Sequence, residues 1–272
     1  GKTRKPSIEM LEGIDLILYD IQDIGARFYT YITTLGLVME SAGELGIPVI
    51  VLDRPNPIRG DIIEGPILNL DYQTFVGYYP IPIRYGGTVG DLGNKIIQEK
   101  WISPLPELEI IEMEGWKKNL WFDETDLPWV KPSPNIPDLE TAIIYPGMCI
   151  IEGTNLSEGR GTQNPFKQIG APWVDGKLIS QKLNKYKLPG VVFKPVLFTP
   201  ISIPGMSTYP KFQDEKCSGI EIVIIDRNNY NSVNTGIVTL FTLYSMYSEN
   251  ITFKEKHLNR LWGSDQLLKE IK

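Results

Sequence analysis

The fold is decided by residues 14–53, IDLILYDIQDIGARFYTYITTLGLVMESAGELGIPVIVLD. Two apolar runs, IDLILYD at 14–20 and PVIVLD at 48–53, are typical of parallel strands that are covered on both faces. Between them, apolar residues recur with helical spacing at Leu35, Val38, Met39, Ala42 and Leu45. Gly46 follows and is placed to end this helix. Strand, helix and strand with short joints predict a right-handed βαβ unit.

The segments that follow predict further alternating elements. Residues 54–87 are rich in loop formers and far longer than a usual connection of ~4–6 residues, which indicates a functional insertion. Thr88 can cap the next helix, with Asp91 at the third helical position, and the helix is expected to run to about Trp101. LEIIEM at 108–113 is predicted to be another strand.

A proline-rich segment, DLPWVKPSPNIP at 126–137, marks the predicted boundary between two lobes. Its prolines remove backbone donors and force an extended chain, so the lobes are expected to cover residues 1–131 and 132–272. In the second lobe the pattern predicts helices near 178–186 and 236–247 and strands near 191–198 and 220–226.

Composition and charge exclude several classes of function. The 272 residues carry 27 basic and 33 acidic side chains, a net charge of −6, with no Lys/Arg block, so no nucleic-acid partner is expected. No apolar run reaches the ~20 residues that span a bilayer. Cys149 and Cys217 lie far apart, which leaves a single disulfide open.

Metal, cofactor and nucleophile chemistry are not expected either. His257 is the only histidine, so a His/Cys metal site or a Ser-His-Asp or Cys-His mechanism is disfavoured. The sequence also lacks the glycine patterns that cradle nucleotide phosphates, so no cofactor is expected. Of the classes of catalytic chemistry considered, catalysis by carboxylate groups remains.

Both ends of the sequence are interpreted as cut. It begins at Gly1 without a methionine or a signal-type segment and stops at Lys272 inside a helix-like stretch. The sheet is therefore expected to lack neighbours on one side, and the 272-residue piece alone is expected to be poorly soluble or loosely folded.

One polar cluster is predicted at the carboxyl ends of the first two strands, where open α/β sheets bind ligands. The first strand ends at Asp20 and opens into a loop with Asp23 and Arg27, and the second ends at Asp53. If the strands are parallel neighbours, these four side chains converge on one rim. The alternative is that Asp20 and Asp53 only cap the loops that follow them.

A second polar cluster lies in EGTNLSEGRGTQNPF at 152–166. It holds Glu152, Asn155, Glu158 and Arg160 among three glycines. Glycines let the backbone approach a ligand closely, and carboxylates beside an arginine suit acid/base work or sugar hydroxyls. A plain turn with a surface ion pair is the alternative interpretation.

Several segments of the sequence resemble the motifs of the exo-β-N-acetylmuramidases, and they do so in the same order along essentially the whole chain. They are DIQDIGARFYTY (20–31), LDRPNP (52–57), IEGPIL (63–68), PSPNIP (132–137) and IEGTNLSEGRGTQNPF (151–166). The resemblance implies a Rossmann-like first lobe with a mostly parallel sheet, a smaller α/β second lobe, and a site in the cleft between the lobes. It also implies a peptidoglycan-derived sugar as substrate and an extracellular or periplasmic location.

The matched motifs suggest roles for individual residues. The leading catalytic carboxylates are Asp23 and Glu158, with Asp20 and Glu152 as alternates. Arg27 or Arg160 is expected to pair with the lactyl carboxylate of N-acetylmuramic acid, because the planar guanidinium binds carboxylates bidentately. The expected substrate-binding residues are Gln22, Arg27, Tyr29, Tyr31, Asp53, Arg54, Asn56, Glu64, Asn135, Glu152, Asn155 and Arg160.

The sequence departs from the family pattern in one important respect. Members of the family carry an upstream Pro-Glu-His-Gly segment whose glutamate is the favoured catalytic residue, and no segment here matches it. The principal acid or base is therefore expected to lie outside these residues, and the 272-residue chain alone is expected to be inactive. The alternatives are a non-catalytic muropeptide- or sugar-binding protein and, disfavoured by the histidine count, an amidase or deacetylase.

Overall fold

A computed structural model describes residues 3–272, which divide into two compact units. The first unit contains the residues up to Ile63 together with Gln73–Pro128. The second contains Glu64–Tyr72 and Trp129–Lys272. A short part of the loop-rich insertion, Glu64–Tyr72, therefore belongs to the second unit, a division that the sequence did not suggest.

The first unit contains the predicted βαβ arrangement. Its elements are β1 (Ile17–Tyr19), α1 (Tyr31–Leu45), β2 (Val49–Leu52), α2 (Val89–Gln98) and β3 (Leu108–Ile111). The strands form one parallel sheet in the order β1-β2-β3. The prediction of an α/β fold with a parallel sheet in the first lobe is confirmed.

Among the described residues, the core of this unit covers one face of the sheet. Tyr19, Val49 and Val51 are buried in a cluster with apolar residues of α1 and α2. Side chains alternate across a strand, and Leu18, on the opposite face, is 59% exposed. The expectation that β1 is covered on both faces is therefore wrong, because an unbroken apolar run does not report which face has a partner.

Local signals set the ends of both helices, as predicted. Gly46 follows α1 in the left-handed region at φ 67°, and its N–H bonds back to the last turn of the helix. Thr88 and Asp91 form a reciprocal capping box at the start of α2. The helix ends at Gln98, somewhat earlier than the predicted end near Trp101.

The second unit combines helices with an antiparallel sheet of order β4-β6-β5. Its strands are β4 (Gln168–Ala171), β5 (Val191–Phe198) and β6 (Cys217–Ile224). Its helices are α3 (Leu139–Met148), α4 (Gly176–Asn184), α5 (Ser232–Tyr247), α6 (Glu255–Trp262) and α7 (Gln266–Ile271). The sequence predicted α4, α5, β5 and β6, although α4, α5 and β6 begin earlier than expected. It missed α3, which contains a proline, the short β4, and α6.

Two glycines let α3 pack directly against α5. A Cβ atom on Gly147 would lie 1.8 Å from the carbonyl oxygen of Ser232, and one on Gly236 would lie 2.2 Å from the carbonyl oxygen of Gly147. The Ser232 hydroxyl also accepts a hydrogen bond from the Gly147 N–H. This contact fixes the end of α3, which continues into the turn Cys149–Gly153 that carries Glu152.

Neither cysteine forms a disulfide, and both are buried. Within the described chain no helix is long and apolar enough to cross a membrane.

Candidate active site

Asp53, at the end of β2, is tied to the start of α2. Its Oδ1 accepts hydrogen bonds from the backbone N–H groups of Gly90 (2.8 Å) and Arg54 (3.0 Å), and its Oδ2 accepts one from the Thr88 hydroxyl (2.6 Å). Burial raises the pKa of Asp53, and these donors oppose the rise. The Asp53 side chain thus caps the loop that follows it, which was the alternative interpretation, and it also lines a cavity.

That cavity lies at the carboxyl ends of the parallel strands, within the first unit. It measures about 670 Å³, and its lining includes Asp20, Asp53 and Arg54, together with Trp116, apolar side chains and three further acidic residues, Glu114, Glu124 and Asp126. Asp20 and Arg54 form an ion pair across 2.6 Å. Of the four residues predicted to share one rim, Asp20 and Asp53 line this cavity, whereas Asp23 and Arg27 are not among its lining residues.

Asp23 is buried a few residues beyond β1. Its Oδ2 accepts hydrogen bonds from the Tyr85 hydroxyl and the Gly25 N–H, both at 2.7 Å. Burial raises the pKa of Asp23 to about 7, against the opposing effect of these donors and of the Ile24 N–H. A carboxyl group that titrates near neutral pH is suited to general acid–base catalysis.

Arg27 is completely buried rather than presented to solvent. Its Nη1 donates to the carbonyl of Ile81, and its backbone N–H donates to the carbonyl of Ile83. Burial lowers the pKa of Arg27 to about 10. These contacts hold the insertion against the loop after β1, which is a structural role and leaves no exposed guanidinium surface for a substrate carboxylate.

Other predicted binding residues of the first unit also use their polar atoms within the fold. The Gln22 amide donates to the carbonyls of Asp23 and Pro55. The Asn56 side chain bonds the backbone of Gly87 and Ile58. Tyr29 and Tyr31 are half-buried and meet edge to face, with their ring centroids 5.0 Å apart.

In the second unit a charged network surrounds the loop after α3. Glu152 Oε1 accepts hydrogen bonds from Nε and Nη2 of Arg160, at 3.0 and 2.7 Å. Arg160 Nε also lies 3.6 Å from Glu158 Oε1, and Nζ of Lys211 lies 2.8 Å from Glu158 Oε2. His257 Nε2 lies 3.7 Å from Glu152 Oε2. The predicted residues Glu152, Glu158 and Arg160 therefore form one cluster.

The members of this network differ in burial and charge. Glu158 is 4% exposed, whereas the Arg160 side chain is 30% exposed. Burial raises the pKa of Glu152, but the interactions with His257 and Arg160 outweigh it and hold that pKa below its ordinary value. Glu152 is thus ionised and holds Arg160 in place through two hydrogen bonds. Arg160 also lies over the Phe166 ring, which fixes its plane further.

Three predicted binding residues of the second unit serve the fold. Glu64 Oε2 accepts from the Val233 N–H at the start of α5. The Asn155 side chain pairs with the backbone of Asn250 and Thr252. The Asn135 amide donates to the carbonyl of Met206. Polar residues in a loop motif serve backbone pairing as readily as ligand binding, and the motif alone does not distinguish the two.

Sequence reasoning missed Trp116 and Lys211 as site residues, and it did not link Tyr85 to Asp23. Each reaches its cluster from a distant part of the chain, and no spacing signal joins Tyr85 to Asp23 or Lys211 to Glu158. Among residues 3–272, no group of three or more His, Cys, Asp or Glu side chains is arranged to hold a metal ion.

The fold and these two clusters define a two-unit α/β protein whose polar groups are carboxylates paired with arginine, lysine and tyrosine. The sequence matches the family described as "Exo-beta-N-acetylmuramidase NamZ, N-terminal" over residues 1–140 and "Exo-beta-N-acetylmuramidase NamZ, C-terminal" over residues 143–272. The chain belongs to the NamZ exo-β-N-acetylmuramidase family.

Similarity to individual proteins agrees with this assignment. The chain is 46% identical over 253 residues to the peptidoglycan β-N-acetylmuramidase NamZ of Bacillus subtilis (strain 168). The matched region covers 93% of this chain and 59% of that protein. It therefore spans less than two thirds of the length of this relative.

Two crystal structures of DUF1343 family proteins from Bacteroides fragilis NCTC 9343 have the same fold. One has a TM-score of 0.92 at 34% identity, over 99% of this chain and 70% of that one. The other has a TM-score of 0.78 at 30% identity, over 98% and 69%.

Proposed function

We propose that the protein is an exo-β-N-acetylmuramidase, a glycosidase that releases N-acetylmuramic acid from the non-reducing end of peptidoglycan fragments. The observation that carries the proposal is the 46% identity, over 93% of the chain, to a peptidoglycan β-N-acetylmuramidase. It is supported by two carboxylates whose surroundings differ in the way that glycosidases require.

In this proposal Asp23 exchanges a proton with the substrate. With a pKa of about 7, it is protonated often enough near neutral pH to act as an acid and deprotonated often enough to act as a base. The Tyr85 hydroxyl and the Gly25 N–H hold its Oδ2, which fixes the direction of the carboxyl group.

Glu158 serves as the second carboxylate. It is buried beside the cationic side chains of Lys211 and Arg160. An ionised carboxylate can activate water, attack the sugar or orient a 2-acetamido group for substrate-assisted hydrolysis.

Arg160 is the arginine proposed to bind the lactyl carboxylate. Its side chain is partly exposed and is held by Glu152, whereas Arg27 is fully buried. A guanidinium group can pair with a carboxylate through two parallel hydrogen bonds, and this geometry suits the acid group that distinguishes muramic acid from other amino sugars.

The proposed substrate also suggests where the protein acts. Peptidoglycan lies outside the cytoplasmic membrane, so we place the protein in the extracellular or periplasmic space. A non-catalytic muropeptide-binding protein is the second candidate from the sequence, but the similarity to an enzyme does not favour it.

The test is incubation of the full-length protein with a disaccharide that ends in N-acetylmuramic acid, with free sugar measured by chromatography. We expect release of N-acetylmuramic acid, with a rate that falls as the pH rises through about 7, because Asp23 then loses its proton. Binding of the disaccharide without release would show a binding protein instead.

Substitution at Asp23 separates its role from a general effect on folding. Asp23→Asn should lower kcat by on the order of 100-fold or more. The matched control is Asp61→Asn, a change in the same unit at a carboxylate paired with Arg59 and away from Asp23. Equal activity of the two variants would remove Asp23 from the mechanism.

A further inference from the structure

The ammonium group of Lys211 lies at the centre of the second-unit cluster. It lies 2.8 Å from Glu158 Oε2 and donates to the carbonyl of Leu156 at 2.8 Å. The carbonyls of Ile151 and Glu152 accept longer hydrogen bonds from it, at 3.3 and 3.5 Å. One cation thus joins the Glu158 carboxylate to the backbone on both sides of Gly153.

The segment that carries Lys211, residues 199–216 between β5 and β6, is itself anchored on the Glu158 loop. The Ile201 N–H donates to the carbonyl of Gly161 at 2.9 Å. Pro210 packs so closely that a Cβ atom on Gly161 would lie 2.8 Å from its ring. Because the neighbouring residue is fixed against the loop, Lys211 is held in place.

Lys211 is also the nearer counter-charge of Glu158. Arg160 is farther away, at 3.6 Å, and commits Nε and Nη2 to Glu152. A buried carboxylate that loses its partner is costly to keep ionised. Without Lys211, the Glu158 carboxylate would therefore turn away from its present position.

We infer that Lys211 is a positioning residue that holds the Glu158 carboxylate in place for the proposed reaction. The inference rests on the proposed function for its catalytic meaning.

The experiment removes the charge and then restores it. Lys211→Met removes the ammonium group, and Lys211→Gln removes the charge but keeps a hydrogen-bond donor. Lys211→Cys alkylated with 2-bromoethylamine rebuilds a side chain that ends in an ammonium group. Cys149 and Cys217 are buried, so the wild-type protein treated in the same way serves as the control for selective alkylation.

The first readout does not depend on activity. It is the position of the Glu158 carboxylate in crystal structures of the full-length wild-type protein and of the variants. We expect this carboxylate to move from its wild-type position in Lys211→Met and Lys211→Gln, because its nearer cationic partner is gone. It should return to that position in the alkylated Lys211→Cys protein.

The second readout is turnover of the muramic-acid disaccharide. We expect kcat to fall by on the order of 100-fold in Lys211→Met with a smaller change in KM, and to recover on alkylation of Lys211→Cys. The matched control is Lys167→Met, because Lys167 is another partly buried lysine that pairs with Asp138 and Glu140 and not with Glu158. This change should leave the position of the Glu158 carboxylate unaltered.

The two readouts separate the possible failures. An unchanged position of the Glu158 carboxylate in folded Lys211→Met or Lys211→Gln protein overturns the inference, whatever the activity. Absence of turnover by the wild-type protein contradicts the proposed function and leaves the structural result in force. If Lys211→Met does not fold, Lys211→Gln and the Lys211→Cys protein before and after alkylation decide the question.

Discussion

Asp23 shows at the scale of a residue how burial changes the chemistry of a common side chain. Its pKa rises from 3.8 to about 7, mainly because burial disfavours the charged form. Between about pH 4 and pH 7 the folded protein therefore binds a proton at this site that the unfolded chain has lost. The contribution of this proton to stability is fully present below about pH 4 and is lost as the pH rises through about 7.

We predict that Asp23→Asn will flatten this dependence of stability on pH. Asparagine resembles the neutral acid, since its Oδ1 can accept from Tyr85 and Gly25 in place of the carboxylate. A pKa rise from 3.8 to about 7 corresponds to about 4 kcal/mol at most, so the free energy of unfolding of the wild type should fall measurably between pH 5 and pH 8.

Urea unfolding at pH 5, 6.5 and 8 measures this effect. Asp61→Asn should keep the wild-type slope, because Arg59 lowers the pKa of Asp61 and its titration lies below this range. A slope in Asp23→Asn equal to that of the wild type would show that another group causes the dependence.

At the scale of a secondary-structure element, the start of α2 is joined to the candidate site. The Thr88 hydroxyl accepts from the Asp91 N–H and donates to Asp53, so a single side chain caps the helix and holds a residue that lines the cavity. Gly90 allows this approach, because a Cβ atom there would lie 2.8 Å from the Asp53 carboxyl carbon. Helix capping and the geometry of the cavity wall therefore depend on the same contacts.

We predict that Thr88→Val will destabilise the protein by about 1–2 kcal/mol, because it removes both hydrogen bonds while keeping the shape of the side chain. Thr88→Ser keeps the hydroxyl and should cost less. The measurement is the free energy of unfolding in urea. Equal losses in the two variants would mean that the methyl group and not the hydroxyl stabilises this helix start.

At the scale of the whole molecule, the second unit is built from two separate stretches of the chain. Glu64 caps the start of α5 through the Val233 N–H, and the Asn69 N–H donates to the carbonyl of Gly263. Both contacts come from the short segment Glu64–Tyr72. The unit should therefore be incomplete when it is produced without that segment.

We predict that a fragment of residues 129–272 will be less stable than the second unit within the whole chain. A synthetic peptide of residues 62–74 added in excess should bind it and raise its melting temperature, since ligands that bind only the folded state stabilise it. The control peptide carries Glu64→Gln and should have a weaker effect. No change in melting temperature with either peptide would show that Glu64–Tyr72 contributes little to this unit.

The sequence by itself determined the local structure of much of the chain. The end of α1 at Gly46, the cap at Thr88 and the strand β5 depend on residues close to one another in sequence, so spacing and residue type were sufficient to predict them. The pattern of the parallel strands likewise predicted the fold class, and the order of the motifs predicted the family. The capping interpretation of Asp53 also followed from its position at the end of a strand.

Only the tertiary structure decided what these elements contact. The open face of β1 at Leu18, the complete burial of Arg27 and the assignment of Glu64–Tyr72 to the second unit depend on segments far apart in the chain. The partners of the two carboxylates are equally distant, since Tyr85 meets Asp23 and Lys211 meets Glu158 across long separations in sequence. Burial and charge pairing set the protonation of a carboxylate, and both arise only when distant residues are packed together.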